Sequence, residues 1–351
     1  MSLRPSDFRS DTVTRPSAAM LAAITGAELG DDVLDGDPTV RRLEELAARR
    51  LGKERALFVP SGTMANQVAL GAWTRPGDEI IAERTSHIVT WEAGAAGYLH
   101  GLQSVTLDSP RGPLEPAQLT RALRADSLHC AKTALICVEQ SFMGGGECAG
   151  GQVIALESLR RTADFAREHR IPVHMDGARL FNAAVASGVD AATYAACADS
   201  VSICLSKGLG APVGSLISGD AAFVQRAMVV RKRLGGWMRQ AGLLAGAGIF
   251  ALENNVSRLA QDHALAKQLA AALHGLPGLD CDPSQVETNI VMVAVDHPRH
   301  NVDSLTAAFA SLGVLVLPMG PRSLRFVTHL DVGEADVARL ANAAHGILGA
   351  R

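Results

Sequence analysis

From Ala56 onward the chain alternates short apolar runs with longer segments whose apolar positions recur at helical spacing. The runs at 56–59, 79–82, 102–106, 133–138, 171–175, 200–205 and 213–218 predict seven strands. The intervals at 63–73, 115–125, 155–169 and 221–229 predict helices. Ahead of them, Val40, Leu43, Leu46, Ala47 and Leu51 line one face of a predicted helix over 39–51. Strands alternating with helices imply an α/β fold with a mostly parallel sheet covered on both faces. After a helix-rich stretch, 239–275, the alternation restarts on a smaller scale: strand 288–295, helix 302–312, strands 314–318 and 324–328, helix 332–348. This second pattern predicts a smaller α+β domain joined to the first through a long helix. The expected division is an N-terminal arm 1–16, a large domain 17–250 and a small domain 251–351. The segment Arg9-Ser10-Asp11-Thr12 reads as extended, 30–38 as irregular, and the glycine cluster 144–151 as a loop.

A chain of 351 residues suits two domains, and 48% hydrophobic with 20% charged residues supplies ample core for both. The net charge of −3 comes with no basic block, which points away from nucleic acid and anionic membrane surfaces. Residues 1–10 lack the apolar stretch of a secretion signal, and no apolar run reaches the length of a membrane span. The six cysteines, 130, 137, 148, 197, 204 and 281, include no C-x-x-C pair, and several sit in apolar runs where a buried thiol is the simple explanation. A reducing, cytoplasmic setting is expected.

Two segments carry the candidate chemistry. Met175-Asp176-Gly177-Ala178-Arg179 puts an aspartate at the end of one predicted strand, and Leu205-Ser206-Lys207-Gly208-Leu209-Gly210 puts a lysine just past the end of another. In a parallel α/β sheet ligands bind outside the carboxyl ends of the strands, so both side chains face one crevice. Pyridoxal 5'-phosphate needs such a pair: an amine for the Schiff base and an acid beside the pyridinium nitrogen. Taken singly, Lys207 is an ordinary surface charge and Asp176 an ordinary turn residue. Against that, the preceding runs are apolar enough to be buried, and a buried carboxylate needs a cation or several donors. A charge-assisted bond to a protonated ring nitrogen is worth roughly 1.5–3 kcal/mol. Pro60-Ser61-Gly62-Thr63-Met64-Ala65-Asn66 reads as a strand–turn–helix junction, either a plain N-cap or a cup of free helical N–H groups for a phosphate.

These blocks, with Arg9-Ser10-Asp11-Thr12-Val13-Thr14-Arg15-Pro16, Gly30-Asp31-Asp32-Val33, Met238-Arg239-Gln240 and Arg325-Phe326-Val327-Thr328-His329-Leu330-Asp331, run nearly from end to end. Together they resemble the low-specificity L-threonine aldolases, fold-type I pyridoxal-phosphate enzymes allied to the β-eliminating lyases. The resemblance implies that Lys207 carries the cofactor, Asp176 binds its ring nitrogen and His87 stacks on the ring. It implies that Gly62, Thr63 and Ser206 hold the phosphate with Lys232 and Arg239 of a neighbouring subunit. Ser10, Arg179 and Arg325 would grip the substrate carboxylate, and His129 would be the second active-site histidine. Without the family, His87 and His129 read as structural. The implied reaction is retro-aldol cleavage of a β-hydroxy-α-amino acid, threonine or allo-threonine, to glycine and an aldehyde. The implied assembly is a homotetramer, a dimer of dimers with sites shared between chains.

Three segments depart from the family pattern. After Val138-Glu139 the family reads Asn-Thr-His-Asn, whereas this chain reads Gln140-Ser141-Phe142-Met143; Trp237 replaces a glycine and Leu34 an aromatic residue. Phe142, Met143 and Trp237 are expected to make the substrate side more apolar. The competing readings are another pyridoxal-phosphate lyase or aminotransferase on this fold, or a protein that binds the cofactor without catalysis. A nucleotide-dependent enzyme is disfavoured, because the chain has neither G-x-G-x-x-G at a first strand–helix turn nor G-x-x-x-x-G-K-[ST]. No H-E-x-x-H occurs, and His297-Pro298-Arg299-His300 reads as a surface loop rather than a metal site.

Overall fold

In the computed structural model, which describes residues 4–144 and 150–349, seven strands form the main sheet. They are β1 (Arg55–Val59), β2 (Glu79–Glu83), β3 (Gln103–Leu107), β4 (Thr133–Glu139), β5 (Val173–Asp176), β6 (Ser200–Cys204) and β7 (Ser215–Gly219). Their order is β1-β7-β6-β5-β4-β2-β3. Strands β6, β5, β4, β2 and β3 run parallel, and β7 is antiparallel to both of its neighbours. Central strands β5, β6 and β7 are buried along their whole length, which is why they read as near-continuous apolar runs.

Local chemistry sets the helix ends. The helix Pro38–Leu51 starts where the Asp37 carboxylate accepts the N–H groups of Thr39 and Val40, with proline at the first position. It stops at Gly52, whose φ of 58° is the left-handed conformation that glycine adopts without strain. Its predicted apolar face is the buried one, through Val40, Leu43, Ala47 and Leu51. The helix Gly62–Trp73 is capped by Ser61, whose Oγ accepts from the Met64 N–H at 3.2 Å.

The second sheet is antiparallel, with Leu317–Pro318, Ser323–Val327, Ile290–Val295 and Leu279–Asp280 in that order. It has its own core, including Phe309, Phe326, Leu324 and Leu340. The expected long connecting helix is two, Gly242–Asn254 and Leu259–Leu273. The first packs on the main core through Ala245, Ala247, Ala251 and Leu252, while the second contributes Ala266, Leu269 and Leu273 to the smaller core.

The N-terminal segment is more than an extended arm. Ser6–Asp7 pairs in parallel with Val314–Leu315, and Phe8 is fully buried in the smaller core. The chain then makes a 3-10 turn, Asp11–Val13, back toward the main sheet. No helix of the described residues is long and apolar enough to cross a membrane. Cys137, Cys197 and Cys204 are buried free thiols, Cys281 is buried and Cys130 is exposed; Cys148 and glycine-cluster residues 145–149 lie outside the described residues.

Candidate active site

The parallel register brings Glu139, Asp176 and Ser202 side by side at the carboxyl edge of β4, β5 and β6. Val59 and Cys204 both lie opposite Ser215, so the helix beginning at Gly62 rises from the same edge as Lys207. A Cβ at Gly62 would meet Cys204 Sγ at 2.7 Å, so this close approach of helix start to strand end requires glycine. Ser206 and Lys207 come directly after β6, and His87 opens the short helix His87–Thr90 beyond β2.

Asp176 is 5% exposed. Its Oδ2 accepts from Asn66 Nδ2 at 2.7 Å and its Oδ1 from the Ala178 N–H at 3.0 Å. Burial alone would raise its pKa, but the fields of Lys207 and His87 with these hydrogen bonds hold it below the usual carboxylate range. Neither hydrogen-bond donor is charged. Among the described residues the Lys207 ammonium makes no hydrogen bond; it stands in the fields of Asp11 and Asp176. His87 donates its backbone N–H to Glu139 at 2.7 Å, and its Nδ1 lies 2.9 Å from Glu92 Oε1. Burial and the neighbouring Asp176 push the Glu139 carboxyl up to about 7.

The proposed carboxylate grip is divided. Arg179 gives two of its donors to Asp11, at 2.8 and 2.7 Å, with both side chains buried. Ser10 accepts from the Thr12 N–H and Oγ1, which shapes the 3-10 turn. Arg325, on strand Ser323–Val327, is 9% exposed and among the described residues donates only to the Arg9 carbonyl and, at 3.6 Å, to Met143 Sδ. Its Nε has no partner among the described residues. Burial and the nearby Arg179 lower its pKa to about 10. A buried guanidinium without a carboxylate is the arrangement an incoming anion completes.

Within one chain His129 lies away from this edge. It is exposed in the turn before β4, at the amino edge of the sheet, and its backbone N–H bonds Ser127 Oγ. The seven residues of β4 separate it from the Asp176 edge by roughly 20 Å. Counting along the family's Asn-Thr-His-Asn pattern, the histidine falls on Phe142, which is fully buried in the main core and paired with Gln152 across a β-bridge. Phe142 therefore does not make the substrate side apolar, whereas Met143 lies beside Arg325. Trp237 bonds Asp32 through Nε1 at 2.6 Å and carries Arg231 and Lys232 over its ring at 4.7 and 5.8 Å. Arg239 pairs with Asp31 at 3.1 Å, so within one chain Lys232 and Arg239 are held by Trp237 and Asp31. Leu34 is exposed.

Asn66, Asp11, Glu92, Glu139 and His174 are the polar residues here that motif reading missed. Asn66 and Asp11 lie inside the matching blocks, so a signal existed for them; Glu92, a single acid after an aromatic residue, offered none.

The residues present suit pyridoxal phosphate. Among the described residues, a buried, ionised Asp176 with only neutral donors matches a pyridinium, an amine without a hydrogen bond stands beside it, and a helix start with unpaired N–H groups faces the same edge. Comparison with known proteins agrees. Residues 7–297 match the beta-eliminating lyase family. The chain is 41% identical over 336 residues to the low specificity L-threonine aldolase of Escherichia coli K12, covering 95% of this chain and 97% of that one. It superposes on a Leishmania major threonine aldolase with a TM-score of 0.80 at 22% identity, over 98% and 100% of the two chains. A serine palmitoyltransferase solved with its PLP internal aldimine gives a TM-score of 0.73 at 16% identity, over 98% of this chain and 88% of that one. The architecture is that of fold-type I pyridoxal-phosphate enzymes. With its sheet edge, its acid and its amine so arranged, the chain belongs to the beta-eliminating lyase family.

Proposed function

We propose that this protein is a pyridoxal-phosphate-dependent carbon–carbon lyase that cleaves L-threonine, L-allo-threonine and related β-hydroxy-α-amino acids to glycine and an aldehyde. The observation that carries the reading is the buried Asp176 carboxylate, held ionised opposite Lys207. When bound, the cofactor supplies an electron sink for the pair released from the Cα–Cβ bond. Lys207 would anchor it, Asp176 would keep its ring nitrogen protonated, and His87 would cover its face. The N–H groups at Gly62 and Thr63 with the Ser206 hydroxyl would hold the phosphate. Arg325 would take the substrate carboxylate, supported by Arg179 and Ser10 through the Asp11 turn. His87 would then move the β-hydroxyl proton.

The same reading places Lys232 and Arg239 in a neighbouring copy's site, which makes the working unit a homo-oligomer, a tetramer built from dimers in the cytoplasm. It assigns cofactor binding to residues 17–250, with 1–16 and 251–351 closing over the site. Exposed Leu21, Leu29, Leu34 and Trp91 supply apolar surface for such an assembly. Incubating the cofactor-loaded protein with threonine should release glycine and acetaldehyde in equal amounts. Ammonia with a keto acid would instead identify an eliminating lyase or aminotransferase. Borohydride treatment should tag Lys207; an untagged Lys207 refutes the assignment.

A further inference from the structure

Glu92 is a buried carboxylate immediately beyond the His87–Thr90 helix, its side chain fully covered. Three side chains converge on it. His87 Nδ1 lies 2.9 Å and Asn66 Nδ2 2.7 Å from Oε1, while Gln67 Nε2 lies 2.6 Å from Oε2. A carboxylate only accepts, so the proton on the His87 ring belongs on Nδ1 and Nε2 is left as the available nitrogen. Among the described residues Nε2 makes no hydrogen bond.

Asn66 ties this group to the other carboxylate. Its amide nitrogen reaches Glu92 Oε1 and Asp176 Oδ2, both at 2.7 Å. Its Oδ1 lies 3.1 Å from both Ser202 Oγ and His174 Nε2. The opposite amide orientation would aim an oxygen at two carboxylates, so the two acids dictate which way Asn66 points. His174 must then donate from Nε2, and its Nδ1 faces Ser200 Oγ at 3.0 Å. Burial holds His174 down at about 4, so it stays neutral in this relay. One nitrogen of His87, one oxygen of Glu92 and one of Asp176 lie within 4.8 Å of one another.

We infer that Glu92 is a positioning residue: its carboxylate fixes the tautomer and direction of the His87 ring, and Asn66 locks that ring to the same frame as Asp176. This rests on the reading that His87 covers the cofactor and handles the substrate proton. The groups facing His87 are Glu92, Asp176 at the end of β5, Lys207 after β6 and Glu139 at the end of β4. Burial works against the imidazolium, as does Lys207, but the Glu92 hydrogen bond and the Asp176 field outweigh them and raise the His87 pKa. Glu92 thus favours the protonated ring relative to an imidazole without this partner, and its loss should move the His87 titration down.

The test uses cofactor-loaded protein labelled with ¹⁵N,¹³C-histidine, with the His87 resonances identified by their loss in His87→Asn. In the unaltered protein at alkaline pH the ¹⁵N shifts should show a protonated Nδ1 and a bare Nε2. In Glu92→Gln the His87 midpoint should fall by on the order of one pH unit, and the acidic limb of kcat/KM for threonine should move the same way. Glu92→Asp keeps the charge but withdraws its oxygens, so it should retain part of the midpoint while losing kcat; it also serves if the glutamine variant does not fold. A bare Nδ1 in the unaltered protein, or an unchanged midpoint in both variants, overturns the proposal. The ring titration does not depend on the substrate. A shifted midpoint without threonine cleavage would support the Glu92 assignment and refute the proposed reaction.

Discussion

Arg179 and Asp11 meet through two parallel hydrogen bonds, Nε to Oδ2 at 2.8 Å and Nη2 to Oδ1 at 2.7 Å, with both side chains buried. The pair joins the N-terminal turn to the residue three beyond Asp176, so the arm forms one wall of the site. Asn289 adds a third donor to Asp11 at 3.3 Å.

Removing one partner of that pair should be costly. Asp11→Ala leaves a buried guanidinium uncompensated and is expected to lower unfolding free energy by about 3–5 kcal/mol, read from urea denaturation. Asp11 also titrates with a sign that can be checked. Burial opposes its ionisation, but Arg179 and Lys207 hold its pKa far below the ordinary value. Its contribution is therefore present above the unfolded carboxylate range and disappears as pH falls toward the folded value. Stability of the unaltered protein should drop in acid more steeply than that of Asp11→Ala.

Lys207 and His87 should differ in severity. Lys207→Ala removes the anchor, the borohydride tag and turnover together. His87→Asn deletes proton transfer and ring cover, and is expected to slow kcat by about 10²- to 10⁴-fold while the tag remains. Equal losses, measured side by side in one assay, would contradict the roles.

Arg325 has no carboxylate partner among the described residues, so its replacement should act on binding of the substrate anion. Arg325→Gln is expected to lower kcat/KM for threonine by roughly 10- to 150-fold, the equivalent of a charge-assisted bond of about 1.5–3 kcal/mol. Affinity for glycine should weaken in parallel, and isothermal titration would measure it.

Glu44 offers a stability test remote from the site. Burial pushes its carboxyl up to about 7 even though it accepts the Phe58 N–H at 2.8 Å. A raised carboxyl contributes stability below the unfolded value of about 4.5 and loses it as pH rises through 7. Glu44→Gln keeps an acceptor for Phe58 without the charge. Its stability relative to the unaltered protein should therefore grow between pH 5 and pH 8 by on the order of 1–3 kcal/mol.

The chemistry at strand ends was legible because it depends on order along the chain. Asp176 and Lys207 each come after an apolar run, and parallel strands deliver the residues at their carboxyl ends to one common edge. By that rule His129, which precedes a strand, lies at the opposite edge of its own chain's sheet. Phe142 shows the complementary failure: its place in the chain suggested a pocket residue, while packing turned it into the core.

The sequence by itself determined the alternation of elements, the two cores, and the amine and acid of the site, since burial, helix capping and strand direction are written in local residue order. Only the tertiary structure decided that Asp11 engages Arg179, that Asn66 bridges Glu92 and Asp176, and that Arg325 has no carboxylate among the described residues. Those relationships join residues far apart in the chain, and hydrogen-bond partners across such separations are chosen by the packing of sheets and helices, which no local pattern encodes.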